Sequence, residues 1–462
     1  MHAPESAEDP DVRTPLRPEQ LGLAPSMIDD FVLRRLVVEG RCLITRLAEK
    51  LHLSTTVIDS IVSGLRDRKL LEYDGMDGRV YIVNITDAGR HHAAERSREC
   101  RYSGPLPVPL DLYGQVVRAQ RPTLHLDPER LGRAYSDLVI SPTLLAQLGP
   151  AIHGEGAMFL YGPPGTGKSS IAERIVRAYE DVVLVPYCIE VDGQIISVFD
   201  PTIHQPLDEQ PPGLDRRWVV CQRPAVVTGG ELHAGLLDVH LDRDTGVYLG
   251  PLQLKANNGI LVIDDFGRQA MSPDALLNRW IVPLDRQVDY LTLQGRKFEV
   301  PFELKVVLST NLDPAKLGDE AFFRRIHNKI FVGCVDDEAF DWILSRVATK
   351  RGLDCDAVAA SRLRDVAKQR GDGELRAYLP GVVCELATAI VRYENIGPTL
   401  TPGLIDRVLD LYFTRPEDGA KMAGPRAKRT EGESPVDEAV DATYPADELS
   451  EEAAALAAEY SG

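Results

Sequence analysis

The 462-residue sequence predicts an α/β fold: a parallel sheet with a helical lid, preceded by a small module of helices and a hairpin. Three observations predict it. An apolar strand, Ala157 to Tyr161, runs directly into a glycine-rich turn and then a helical stripe. A second run, Ile260-Leu261-Val262-Ile263, is apolar throughout, as expected of a parallel-sheet strand covered on both faces. Between residues 27 and 98, three stripes at helical spacing precede two strand-like runs joined by a turn.

Composition narrows the class. A hydrophobic share of 44% with 26% charged residues describes a globular chain, and the length divides into two or three domains. No apolar run approaches the roughly 18 residues needed to cross a bilayer, so no membrane span is expected. Residues 1–26 are acidic, punctuated by proline and without an apolar core segment, and read as a disordered N-terminus rather than a secretory signal. Seven cysteines are dispersed from Cys42 to Cys384 with no C-x-x-C pair, which fits reduced thiols in a cytoplasm better than disulfides or a zinc site. The ten histidines show no ligand spacing; the adjacent pair His91 and His92 would point about 100° apart on a helix. The formal charge of −18 argues against broad binding to nucleic acid or anionic membrane. Ten acidic residues and no basic one lie in 431–462, which leaves −8 for the 430 residues before them. With few large apolar residues, 415–462 is expected to be an acidic disordered tail.

Residues 27–98 come first among the folded elements. Ile28, Phe31 and Val32 begin one stripe, Ile44, Leu47, Ala48 and Leu51 make a second, and Val57, Ile58, Ile61, Val62 and Leu65 a third with Ser54 as its N-cap. Leu70 to Tyr73, the turn Asp74 to Gly78, and Arg79 to Asn84 read as a hairpin. Three helices followed by a two-stranded wing resemble a winged helix-turn-helix domain. DNA binding is disfavoured all the same. The third helix opens with Thr55, Thr56, Asp59 and Ser60, while Arg66, Arg68 and Lys69 come at its far end. Phosphate contacts dominate DNA affinity, and this module is close to charge-neutral. A protein-docking role is preferred. Gly104, Pro105, Pro107 and Pro109 then mark a semi-rigid linker over 99–130, implying an independent core on each side.

The chemistry is concentrated in Gly162-Pro163-Pro164-Gly165-Thr166-Gly167-Lys168-Ser169-Ser170, which fits G-x-x-x-x-G-K-S between a strand and a helix with Ile171, Ile175, Val176 and Tyr179 on one face. Glycines let backbone N–H groups turn inward around phosphate oxygens, and the helix N-terminus adds partial positive charge. Lys168 would reach the β- and γ-phosphates of ATP, and the Ser169 hydroxyl would ligate Mg2+. Asp264 and Asp265 close the apolar strand opposite. Asp264 suits the magnesium shell, through water, and Asp265 is placed to polarise an attacking water. Paired aspartates can also simply end a strand, a reading that carries little weight beside an intact phosphate loop.

From about 130 to 414, roughly 60% of the chain, the sequence resembles an AAA+ ATPase module of the P-loop NTPase class. Val306-Val307-Leu308-Ser309-Thr310-Asn311 matches that superfamily's fourth core strand, with Asn311 as the sensor-1 residue. Asp319 to Ile326 resembles the segment that presents an arginine finger to the neighbouring subunit. Arg325 is the better candidate and Arg324 the second, although an arginine there can also pair with a local carboxylate. Leu138-Val139-Ile140 lies where such proteins line the adenine pocket; for Val139 and Ile140 simple core packing reads equally well. The resemblance implies an α/β nucleotide-binding domain over 131–335, a helical lid over 336–414, ATP and Mg2+ as ligands, and a ring-forming homo-oligomer for which six subunits is the expected number. A hairpin over Gln287 to Phe302, and an insert over about 182–258 between the second and third core strands, look like the MoxR-like, helix-2-insert group.

Three departures qualify the carry-over. Glutamate usually stands where this chain has Asp265, one methylene shorter. The lid helix opens Leu379-Pro380-Gly381-Val382 without the sensor-2 arginine, leaving Arg376 as a weak substitute. The insert lacks the G-A-F-T-G-A loop of sigma-54 activators, so that reading is disfavoured. Three functions follow as expectations: an oligomeric ATPase that remodels a protein client, a DNA-directed motor using the winged helix, or a slow-turnover nucleotide-gated scaffold.

Overall fold

The structure, a computed structural model, describes residues 10–98, 100–121, 126–154, 156–313, 326–370 and 372–413. It is an α/β fold. Its N-terminal arm is packed: Leu21 is fully buried, the Asp215 amide donates to the Val12 carbonyl at 2.8 Å, and the Thr14 amide to Gly213 at 2.8 Å. Disorder over 1–26 is therefore corrected for 10–26, while 1–9 lie outside the described residues. The arm's partners sit about 200 residues along the chain, where local composition gives no sign of them.

The module that follows runs α1 (Pro25–Glu39), β1 (Cys42–Leu43), α2 (Ile44–Leu51), α3 (Thr55–Asp67), β2 (Leu71–Asp77), β3 (Val80–Ile85) and α4 (Asp87–Arg96). Its three helical stripes are buried as spaced, and β2 and β3 form the hairpin, with β1 added on the far side in the order β1-β3-β2. The Ser54 hydroxyl caps α3, accepting from the Val57 amide at 3.4 Å and donating to the Pro15 carbonyl at 2.9 Å.

The described residues within 99–130 do not form a spacer. Pro107 and Pro109 hold the chain extended, so that β4 (Val108–Pro109) pairs with a distant strand, and Pro109 is the N-cap of α5 (Leu110–Ala119). Tyr113, Val116 and Val117 of α5 are buried. Then come α6 (Pro128–Ala134), α7 (Pro142–His153), β5 (Met158–Tyr161) and α8 (Lys168–Arg174).

The stretch 182–258 corrects the sequence reading most. It holds β6 (Val182–Pro186), β7 (Cys188–Val191), β8 (Gln194–Ser197), β9 (Trp218–Gln222), β10 (Ala225–Thr228), β11 (His240–Asp242), β12 (Val247–Leu249) and α9 (Leu252–Lys255). It is not one insert between two core strands, because β10 itself joins the central sheet, parallel to β13 (Ile260–Ile263). The more apolar β6 reads better as a core strand, yet it pairs antiparallel with β9 instead. Four residues bracketed by Pro224 and Gly229-Gly230 gave β10 little signal. The other strands build a second sheet, β11-β12-β8-β7-β4, into which the former linker is woven.

Helix α10 (Pro273–Arg286) leads to the expected hairpin, β14 (Val288–Leu293) and β15 (Arg296–Pro301), then to β16 (Lys305–Thr310) and β17 (Asn328–Phe331). The central sheet is parallel throughout, in the order β10-β13-β16-β5-β17, with Ile263 opposite Leu308 and Thr310 opposite Tyr161. Both its faces are covered, one by Phe159, Phe266 and Trp280, the other by Leu148, Ile171 and Ile175. Among the described residues four helices follow: Asp337–Lys350, Ala357–Arg370, Leu379–Glu394 and Pro402–Tyr412. The third buries Val383, Cys384, Ala387 and Val391, while Tyr393 is 91% exposed.

Candidate functional site

Three parallel strands deliver the candidate residues to one edge of the sheet. β5 ends in Tyr161 and enters Gly162, β13 ends in Ile263 before Asp264 and Asp265, and β16 ends in Thr310 before Asn311. Since β16 lies between β13 and β5, Asn311 emerges between the acidic pair and the glycine loop. Ligands of open α/β sheets bind at this end of the strands.

The loop needs its glycines. Gly162, Gly165 and Gly167 have φ of 149°, 76° and 94°, and a Cβ on Gly162 would lie 2.2 Å from the Val332 carbonyl oxygen. Pro163 and Pro164 form the outer bend, with Pro164 exposed, and the buried Thr166 donates its hydroxyl to the Pro163 carbonyl at 3.1 Å. Lys168 opens α8 and is only 6% exposed. Its ammonium donates to the carbonyls of Gly162 at 3.1 Å and Pro163 at 2.7 Å, and to Asn311 Oδ1 at 2.6 Å. An ammonium has three N–H bonds, so all are engaged. Asn311 Nδ2 in turn donates to Asp265 Oδ1 at 3.0 Å, completing a chain Lys168–Asn311–Asp265. Burial lowers the Lys168 pKa below the ordinary lysine value, and the negative fields of Asp264 and Asp265 oppose that shift.

The acidic turn is held from several sides. Asp265 adopts φ of 48°, a left-handed conformation that aspartate tolerates better than most residues. The Phe266 amide donates to the Ser309 carbonyl at 2.7 Å, and Thr310 Oγ1 to the Phe266 carbonyl at 2.7 Å. Gln269 Nε2 donates to the carbonyls of Asp264 and Asp265, at 2.9 and 3.2 Å. The Asp264 amide donates to the Thr228 carbonyl at 2.8 Å, which ties this turn to the strand that sequence reading misses.

Ser169 and Ser170 are half-buried on the first turn of α8, where the Ser170 carbonyl accepts from Arg174 at 2.9 Å. No group of three or more His, Cys, Asp or Glu among the described residues could hold a metal alone. The Ser169 hydroxyl and the Asp264 carboxylate are hard oxygen donors, and that set fits magnesium, which takes few protein ligands and completes its shell with phosphate and water. Ile140 packs against the core cluster around Leu148 and Leu160, and Val139 beside it is half-buried; neither joins the hydrogen-bonded chain. Arg324 and Arg325 lie outside the described residues. Arg376 pairs with Asp372 at 2.6 Å.

Sequence reasoning missed two residues here. Gln269 was visible only as a polar side chain four residues beyond Asp265. Tyr378, a lone aromatic ahead of a Leu-Pro helix start, lies against Gly165: its amide donates to the Gly165 carbonyl at 3.2 Å, and a Cβ on Gly165 would come 2.2 Å from its ring.

Comparison with known proteins adds the following. Residues 336–411 match the sequence model of a domain of unknown function, DUF8689. No curated protein matches the chain. Among solved structures, the Thermotoga maritima RuvB Holliday junction branch migration motor is similar at 13% identity and a TM-score of 0.32, over 63% of this chain and 72% of that one. A point mutant of Thermotoga maritima RuvB is similar at 14% identity and a TM-score of 0.34, over 63% and 73%.

Proposed function

We propose that the chain is a magnesium-dependent ATPase of the AAA+ type that assembles with copies of itself and acts on a protein client. The observation that carries this reading is the Lys168–Asn311–Asp265 chain beside a glycine loop at the carboxyl edge of a parallel sheet. In this reading Lys168 exchanges protein acceptors for the β- and γ-phosphate oxygens of ATP. Ser169, and Asp264 through water, would hold magnesium, which when bound supplies charge neutralisation on the phosphates. Asp265 orients the attacking water, and Asn311 fixes its carboxylate while touching the lysine that holds the phosphates. Steady-state phosphate release by the parent, Lys168→Ala and Asp265→Asn tests the reading; turnover in all three alike would end it.

A ring would complete each site with an arginine from the neighbour, Arg325 first and Arg324 second, a contribution worth roughly 10³ to 10⁵ in rate. Turnover per chain that rises with protein concentration, and activity regained on mixing Arg325→Ala with Lys168→Ala, supports this. A slow-turnover scaffold is the second reading, favoured by the short Asp265 side chain already bonded to Asn311 and by a lid whose Arg376 is paired with Asp372.

The client is read as protein rather than DNA because the N-terminal arm engages the start of α3 through Pro15, and the exposed face there offers Thr55, Thr56 and Asp59. The hairpin β14–β15 directly ahead of β16 supports the helix-2-insert grouping. No helix among the described residues is long and apolar enough to cross a membrane, and the seven free cysteines favour a reducing, cytoplasmic setting.

A further inference from the structure

We propose that Tyr378 is a positioning residue that holds helix Leu379–Glu394 to the phosphate loop and thereby sets how long a nucleotide stays bound. The inference rests on the nucleotide-site reading above and extends it to a residue outside every motif. Two contacts carry it. The Tyr378 ring fills the space beside Gly165 that any other residue's Cβ would need, 2.2 Å from Cδ1 and 2.6 Å from Cε1. The Tyr378 amide donates to the Gly165 carbonyl at 3.2 Å.

The second contact fixes a peptide plane. In a trans peptide the carbonyl of one residue and the amide of the next point in opposite directions. Holding the Gly165 carbonyl toward Tyr378 therefore directs the Thr166 N–H away from it, and N–H groups of this loop are what a phosphate would engage. Gly165 has φ of 76° and no side chain to stiffen it, so without an outside partner this peptide could rotate. Tyr378 is also the N-cap of helix Leu379–Glu394. Ring and helix must move together, so any shift of the loop on nucleotide binding is felt directly by that helix. Arg376, the nearby cation of the same segment, is occupied with Asp372. The contact between helix and loop is thus aromatic and backbone in character.

The test is stopped-flow release of a fluorescently labelled ATP, with magnesium, from the full chain and its variants. Tyr378→Ala should release the nucleotide faster, on the order of tenfold, as expected for loss of one packed aromatic. Tyr378→Phe should release far closer to the parent rate than Tyr378→Ala does, since ring and amide remain. Gly165→Ala should also speed release, in part because φ of 76° strains any side chain there. Combining it with Tyr378→Ala should cost less than the sum of the two changes, because the new methyl then meets no ring. Release from Tyr378→Ala at the parent rate, or strict additivity of the two changes, overturns the role of Tyr378 and leaves the site reading intact. A parent chain that shows no saturable binding of labelled ATP overturns both. If Tyr378→Ala does not fold, Gly165→Ala and Tyr378→Phe still decide: parent-like release from the first, or fast release from the second, contradicts the proposal.

Discussion

The edge of the central sheet and the joint between the N-terminal module and the second sheet are built on different principles. At the sheet edge, each of the three candidate side chains stands within several residues of a strand end, and strand order brings Lys168, Asn311 and Asp265 into one hydrogen-bonded chain. At the joint, the buried Arg217 pairs with Asp215 and donates to the carbonyls of Leu21 at 3.1 Å and Pro107 at 2.9 Å, groups 196 and 110 residues away in sequence. One hydrophobic core there runs from Leu21 and Phe31 through Leu106 to Cys188, Ile195 and Val247. The phosphate chemistry proposed for that edge demands set residues at set spacing. A joint accepts any complementary surfaces, so it leaves little pattern to read.

Removing residues 1–105 should show that contrast most strongly. The truncation uncovers Cys188, Ile195 and Val247 and takes away the Leu21 acceptor of Arg217. We predict that the remaining chain loses its cooperative thermal transition, followed by circular dichroism. A sharp transition at the parent temperature would mean that the two parts fold independently, as the proline-rich linker suggests. Next in size, Arg217→Ala leaves a buried carboxylate unpaired and should destabilise by about 3–5 kcal/mol in denaturant unfolding. The apolar pair Arg217→Met with Asp215→Leu should recover part of that loss, the Leu21 and Pro107 carbonyls still lacking their donor, and equal damage from both would break the ion-pair account.

At the sheet edge the expected effects fall on turnover and spare stability. Asp265→Asn keeps the hydrogen-bonding shape of the side chain but removes its charge. ATP binding should persist while hydrolysis falls by roughly 10²-fold or more. Loss of ATP binding in Asp265→Asn would deny the division of labour between Asp264 and Asp265. The smallest effect belongs to the joint: Ser54→Ala removes the α3 cap and the bond to Pro15, costing about 1 kcal/mol by thermal melt. A neutral result would show that the arm adds nothing at that point.

The parallel sheet, the placement of its glycine-rich turn, the acidic pair and Asn311 at one end of the strands, the β14–β15 hairpin and the three helical stripes of the first module are legible, because each is a local pattern of period or spacing. What escaped was non-local. β10 is four residues long and is outranked in hydrophobicity by β6, which pairs elsewhere. The arm at 10–24 and the strand β4 gain much of their order from residues near 190 and 214. Tyr378 carries no motif; its meaning comes from the bare Gly165 beneath it.

Equilibrium binding of labelled ATP to the parent chain and to Lys168→Ala tests the central claim most directly. The parent should bind saturably and more tightly with magnesium. The variant should lose binding while still melting cooperatively, a few degrees below the parent, since the Gly162, Pro163 and Asn311 oxygens lose their donor. Equal affinity in parent and variant, with both folded, would contradict the account.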